Sequence, residues 1–378
     1  MPTYPKRLEA AVRGAERFLN AWHGSPTTAE LLHAIADDTP ADERRDSYGS
    51  GERIARFERR VAELLGKEAA VFMPSGTMAQ LIAVRIWCDR RGNRTVAFHP
   101  TCHLELHEEH AYARLHGLDR KLVGNPHRLI SLADLEAIHE PVAVVLLELP
   151  QRELGGRLPA WRELVAQTSW ARERSIALHL DGARLWEAQP FYRRSHAAIA
   201  DLFDSVYVSF YKGLRGLAGA ALAADADTVA EARIWQRRHG GNLVTMHPFV
   251  VAAERGLDER LRRMAVYLRH ARAIAKELAA VDGLEVVPSP PQTPLFHLLM
   301  RGDQDRLVDA ALSIAEERKV FLFGDPSPTT SPSWQRHEVH VGEVTLALAP
   351  GEVGELYAEV LSRAAQSRRR PRRTKRRR

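Results

Sequence analysis

Four short segments of this 378-residue chain carry residue types that work together in amine and carbonyl chemistry. Asp181 directly follows the apolar run SIALHL, and Lys212 directly follows SVYVSFY, 31 residues later. PSGT follows AAVFM and opens a helical pattern, so Gly76 and Thr77 could present free N–H groups to a phosphate. His103 follows TVAFH, with PTC between. A lysine forms a Schiff base, and a carboxylate keeps a pyridine nitrogen protonated so that the ring accepts electrons. An aromatic ring over such a ring shields it from water and can move protons. Together these groups are what a protein needs to hold pyridoxal 5′-phosphate.

Taken singly, each piece has an ordinary reading. A Ser-Gly-Thr before a helix is commonly an N-cap, Asp-Gly is commonly a turn, and a lysine before glycine is commonly solvated. Their order carries the argument. AAVFM, TVAFH, KLV, VAVVLLEL, SIALHL and SVYVSF are short β-rich runs, and most are separated by helical stretches such as PAWRELVAQTSWARER. This alternation predicts an α/β fold with a mostly parallel sheet covered by helices on both faces. Ligands of such sheets bind beyond the carboxyl ends of the strands, where all four segments fall.

After about residue 255 the pattern changes to a long helix, then LEVV, TPLFHLLM, DRLVDAALSIAEERKV and HEVHVGEVTLAL. We expect an N-terminal helical arm over 1–45, a large α/β domain over 46–255, a smaller α+β domain with an antiparallel sheet over 256–366, and a disordered basic tail over 367–378. GLRGLAGAAL and QRRHGGN lack the GxGxxG pattern after a strand, so they read as tight turns near the cofactor rather than as dinucleotide-binding loops.

The charge sits unevenly. The net charge is +6, yet the last eleven residues, RRRPRRTKRRR, hold nine Lys or Arg, which leaves residues 1–367 at about −3. The tail could make weak polyanion or nucleic-acid contacts, but no aromatic interleaves it as a stacking platform would require. A 45% hydrophobic content argues against a disordered chain. There is no run of about 18 apolar residues for a membrane span, and the N-terminus lacks a signal-peptide core. Two cysteines cannot build a disulfide framework, which fits a reducing cytoplasm. His99, Cys102, His103, His107 and His110 fall within twelve residues. HExxH is absent, and we expect one functional histidine and no metal.

Several segments resemble the L-threonine aldolases of the β-eliminating lyase group. HLDGARLWEA, with Asp181 and Arg184, is similar to their HLDGARLFNA, and SFYKGLRGLAGAAL resembles their S-x-x-K-G-L-G. VFMPSGTMAQ resembles their phosphate-binding F-x-P-S/T-G-T-M-x-N, and CHLELHEEHAYARLHG their A-H-I-x-x-Y-E-x-G-G. Tyr48, Gly49 and Glu58 match a further region in part. The resemblance implies a fold-type I pyridoxal-phosphate enzyme, a homodimer or homotetramer with shared sites. Lys212 would carry the cofactor, Asp181 pair with its ring nitrogen and His103 stack on its face. Ser75, Gly76, Thr77 and Ser209 would surround the phosphate, Arg184 would meet the substrate carboxylate and Tyr48 would reach a neighbouring subunit's site.

The chain departs from that pattern on the substrate side. The family's R-S-D-T has no clear match in FLNAWHGSP, and its E-N-T-H reads here as Glu148-Leu149-Pro150-Gln151. GGNLVTM lacks an expected arginine, so Arg215 is the candidate substitute on the phosphate, and Arg336 is the candidate second carboxylate-binding group. The expected reaction is retro-aldol cleavage of a β-hydroxy-α-amino acid, threonine-like, to glycine and an aldehyde. The alternatives are β-elimination from a serine- or cysteine-like amino acid, and a non-catalytic polyanion-binding protein on the same fold.

Overall fold

The computed structural model describes residues 4–20 and 26–366. The basic run after Gln366 and residues 21–25 of FLNAWHGSP therefore lie outside the described residues. The chain divides into two compact units. The larger takes the described residues from 26 to Arg269, with Gln292–Leu295. The smaller takes residues 4–20, His270–Pro291 and 296–366. The boundary expected at 255/256 falls inside the helix His247–Arg260, and the segment expected as one N-terminal arm is shared between the units.

The sheet of the larger unit has seven strands. In chain order they are β1 (Ala69–Met73), β2 (Thr95–Phe98), β3 (Asp119–Leu122), β4 (Val144–Glu148), β5 (Ala177–Gly182), β6 (Ser205–Ser209) and β7 (Ala220–Ala224). Their spatial order is β1-β7-β6-β5-β4-β2-β3. All pairings are parallel except those of β7, which runs antiparallel to both β6 and β1. The central strands are buried on both faces, as near-continuous apolar runs require of a parallel sheet.

β7 is a strand where the sequence suggested a glycine-rich turn. Its run AALAA is weak in β propensity, but its five residues are almost completely covered. Small side chains let helix and sheet approach closely there, and tertiary packing overrides propensity. Gly219 just before it sits at φ +102°, where a Cβ would fall 2.1 Å from the Phe72 ring. Phe72 in turn packs with Phe57 and Phe210, at ring-centroid distances of 5.8 and 6.0 Å.

Helix α1 (Glu52–Leu65) places Ile54, Phe57, Val61 and Leu65 on one buried stripe and stops at Gly66, a left-handed cap. Its Glu58 is buried among them, accepts the Phe72 N–H at 2.8 Å and pairs with Arg233. Helix α2 (Gly76–Arg91) buries the consecutive residues Ala79 to Val84, more than a full turn, as a helix enclosed by the larger unit's core does, and becomes charged toward its C-terminus. In the smaller unit, β8 (Leu284–Val287), β9 (Leu295–Arg301), β10 (Ser327–Pro328) and β11 (Trp334–His340) form a sheet in the order β10-β11-β9-β8. β11 alternates buried and half-buried residues, the period of a strand covered on one face. The segment HEVHVGEVTLAL does not stay extended: beyond His340 it closes into the 3-10 turn Val344–Ala347, where Thr345 Oγ1 accepts the Gly342 N–H.

Candidate active site

Register brings the candidate groups to one edge of the large sheet. β1, β2, β4, β5 and β6 run the same way, so the PSGT turn, the His103 segment, Glu148, Asp181 and Ser209 all emerge at their carboxyl ends. Glu148, Asp181 and Tyr207 are register neighbours on adjacent strands. Met73, Ala220 and Ser209 form a second such row. Adjacent strands lie about 4.8 Å apart, so the start of PSGT and Ser209 are separated by about the width of a phosphate group and its contacts.

Asp181 is 1% exposed, and its Oδ1 accepts the Ala183 N–H at 3.0 Å. Three residues on, Arg184 is 6% exposed and stands at the N-cap of α3 (Leu185–Tyr192). Its Nε is buried and makes no hydrogen bond. Trp186, fully enclosed, donates from its indole nitrogen to the Ser209 carbonyl at 2.8 Å and pins α3 to the end of β6. Lys212 follows that end. Burial and the cation of Arg184 bring its amine down to about 8, with Asp181 and Glu148 acting in the opposite sense. These charged groups therefore share one small volume, and Arg152 belongs to it as well.

At the phosphate end, Ser75 caps α2 by accepting the Met78 N–H. Gly76 is pressed onto Tyr207, since a Cβ there would lie 2.0 Å from the phenol oxygen. Ser209 Oγ is fully buried with no hydrogen-bond partner. A buried hydroxyl without a partner costs stability unless a ligand completes it. The unpartnered Ser209 hydroxyl and Arg184 Nε, the helix N-terminus, the desolvated amine and the buried carboxylate fit pyridoxal 5′-phosphate. Ser75, Gly76, Thr77 and Ser209 could hold its phosphate, Asp181 its ring nitrogen and Lys212 its carbonyl carbon.

His103 opens the short helix His103–Leu106, and its Nδ1 lies 2.8 Å from Oε1 of the buried Glu108. The His107 ring centroid is 5.1 Å from that of His103, and His107 Nε2 meets Glu153 at 3.0 Å. His99 instead binds Thr101 and two backbone carbonyls, while His110 faces Glu105. The four histidines of that run thus face different partners, and no group of three or more metal-binding side chains is gathered among the described residues.

Three further sequence candidates have surroundings of their own. Arg215 has Arg260, Glu259, Arg255 and Glu30 as its charged neighbours. Arg336 lies on β11 of the smaller unit. Tyr48 is 57% exposed on a loop whose backbone N–H donates to the Val244 carbonyl. Sequence reasoning also missed Glu108, Gln151, Arg152 and Tyr207 as members of the site, and gave Glu148 no role. Glu148 did leave a signal: it is the one charged residue ending the apolar run VAVVLLEL, at the same edge as Asp181.

The comparisons with known proteins identify the family. The beta-eliminating lyase family model matches residues 25–300. The low-specificity L-threonine aldolase 1 of Arabidopsis thaliana is 26% identical over 295 residues, covering 74% of this chain and 80% of that one. A solved structure from Listeria monocytogenes, assigned as an L-allo-threonine aldolase, is 38% identical, with a TM-score of 0.90, covering 96% of this chain and 100% of that one. One from Exiguobacterium, assigned as an aromatic amino acid beta-eliminating lyase/threonine aldolase, is 39% identical, with a TM-score of 0.89, covering 94% and 99%. The architecture is that of the fold-type I pyridoxal-phosphate enzymes. The chain belongs to the beta-eliminating lyase family and is a pyridoxal-phosphate-dependent lyase.

Proposed function

We propose that this lyase cleaves a β-hydroxy-α-amino acid of the threonine type to glycine and an aldehyde. The observation that carries the reading is the gathering of Asp181, Arg184 and desolvated Lys212 at one sheet edge, with a carboxylate-held histidine at the same edge. The relatives bearing threonine aldolase names support the substrate class.

When bound, pyridoxal 5′-phosphate supplies the electron sink for the pair left behind as Cα–Cβ breaks. The chain's own residues do the rest. Asp181, buried at the sheet edge, would favour a protonated ring nitrogen. Arg184 would offer a planar fork to the substrate carboxylate and so would orient Cα and choose which of its bonds is broken. Glu108 accepts from Nδ1 of His103 and leaves Nε2 as the free acceptor. That nitrogen, or a water on it, takes the β-hydroxyl proton as the aldehyde forms. Lys212, with an amine brought to about 8, can carry a proton toward Cα near neutral pH and completes glycine.

We assign the phosphate to Ser75, Gly76, Thr77 and Ser209, and the working form to a homo-oligomer in which exposed Tyr48 reaches a second copy. The loop that carries Tyr48 is anchored by Asp46, which accepts from Thr245 Oγ1 and the Met246 and His247 N–H groups. Among the described residues no helix is long and apolar enough to cross a membrane, and Cys88 and Cys102 are free thiols; both support a cytoplasmic site of action. The experiment is absorbance with an aldehyde assay on the purified protein. A near-visible band and aldehyde release, both lost in Lys212→Ala, support the reading, and a colourless protein that takes up no cofactor refutes it.

A further inference from the structure

Glu148 is the last residue of β4 and Asp181 the next to last of the adjacent parallel strand β5, and the two are register partners. Side chains paired in this way lie on the same face about 5 Å apart. Asp181 is 1% exposed and Glu148 is only partly open to solvent. Two carboxylates so placed repel each other's charge, which favours a proton on one of them against the pull of the Arg184 cation. Burial, then the charge of Asp181, push the Glu148 carboxyl up to about 8.

The groups around Glu148 are specific. Gln151 Nε2 donates to its Oε2 at 2.9 Å and the Arg152 N–H to its Oε1 at 3.1 Å. Arg184 and Glu153 act on it from the turns beyond β5 and β4. Lys212 and Cys102 also feel its charge. Behind it lies a cavity of about 20 Å³, lined by His99, Cys102, Gln151 and Pro159 among others. That volume holds about one water. Gln151 also donates to Thr101, which contacts His99, so a polar chain runs from Glu148 along the cavity.

We propose that Glu148 is a positioning residue for Asp181: it holds a proton in the cofactor-free protein and releases it to solvent when a protonated pyridine ring docks against Asp181. The cofactor's positive ring nitrogen then takes the place of that proton in neutralising the pair, and Glu148 is ionised beside it. This couples cofactor loading to pH and makes Asp181 a stronger acceptor in the loaded enzyme. The inference rests on the placement of the ring nitrogen at Asp181.

The test removes the lysine's own titration with Lys212→Ala. Tryptophan-fluorescence quenching by pyridoxal 5′-phosphate is measured between pH 6 and 9, in that protein and in Lys212→Ala/Glu148→Gln. One proton released per ligand bound changes affinity by up to tenfold per pH unit. The single variant should gain affinity from pH 6 to 8 relative to the double variant, by up to about tenfold per unit, and the ratio should level off above pH 8. Parallel pH curves for the two proteins would overturn the proposal. Gln151→Leu in the same background keeps the test available if Glu148→Gln does not fold. Losing that donor disfavours the ionised carboxylate, so the levelling point should move to higher pH, and an unmoved point would overturn the proposal. Asp181→Asn separates the two layers. Weakened binding in Asp181→Asn, with no pH difference at Glu148→Gln, rejects only the role of Glu148. Unchanged binding in Asp181→Asn rejects the placement of the ring and the proposal with it.

Discussion

Nδ1 of His103 lies 2.8 Å from Oε1 of Glu108, a carboxylate whose side chain is 1% exposed and whose other oxygen has no hydrogen-bond partner. A buried carboxylate so committed fixes the tautomer and ring orientation of its histidine, as the acid of a hydrolytic triad does. Glu108→Gln should therefore lower kcat by roughly 10- to 100-fold with little change in KM, the scale of losing an orienting partner. Steady-state kinetics on the loaded enzyme check this. His103→Phe, which keeps the ring area but no proton site, should lower kcat by about 10²- to 10⁴-fold while the cofactor stays bound. An equal loss of cofactor affinity would show that His103 anchors rather than moves protons.

The amine of Lys212 provides a second prediction. Burial is the first cause of its descent to about 8, and Arg184 the second. Removing a cation favours the charged ammonium, so Arg184→Met should raise the midpoint toward the ordinary lysine value. The pH dependence of Lys212 modification in the cofactor-free protein, read by peptide mapping, should show a midpoint near 8 in the parent and a higher one in the variant. Coincident midpoints would mean that Arg184 points away from the amine.

Gly76 marks where backbone and ligand must come close. A Cβ would sit 2.0 Å from the Tyr207 hydroxyl, so Gly76→Ala should push the α2 N-terminus outward. Forced overpacking costs about 1–3 kcal/mol, and cofactor affinity should fall by roughly tenfold or more. Tyr207→Phe in the same chain removes the atom in the closest clash and should restore part of the loss. Equilibrium cofactor titration measures both.

Asp46 is 3% exposed and receives the Met246 and His247 N–H groups at the start of the helix His247–Arg260. Asp46→Ala leaves those donors without their acceptor and should cost about 1–3 kcal/mol of stability, measured by denaturant unfolding. Because the same side chain anchors the Tyr48 loop, KM should rise more than kcat falls if Tyr48 contributes to substrate binding.

Much of this site was legible because its chemistry sits at strand ends. Asp181 and Lys212 each close an apolar run, and the PSGT turn directly follows another. What remained illegible depends on lateral pairing. AALAA becomes a strand only because β1 and β6 flank it and close packing favours alanine. Glu148 gains its meaning from facing Asp181 across a register that no local pattern reveals. The role of Glu108 comes from the fold of five residues that returns it to His103. No local pattern marks Arg336, the candidate second carboxylate-binding group, which lies on β11 of the smaller unit.

Truncation after residue 366 tests the separation of charge from chemistry. The nine basic residues beyond it should be dispensable for turnover, with kcat/KM of the shortened enzyme within about twofold of the parent, while retention on a polyanionic resin falls as electrostatic contacts are lost. A large loss of turnover would assign the tail a part in catalysis.

The central claim concerns which bond breaks, and product analysis decides it. The loaded enzyme is incubated with L-threonine and with L-serine, and glycine, aldehyde, 2-oxo acid and ammonia are quantified together. Retro-aldol chemistry gives glycine and acetaldehyde in equal amounts from threonine, abolished in Asp181→Asn and Lys212→Ala. Ammonia with 2-oxobutyrate from threonine or pyruvate from serine, in place of glycine and aldehyde, would contradict the assignment and make the enzyme a β-eliminating one.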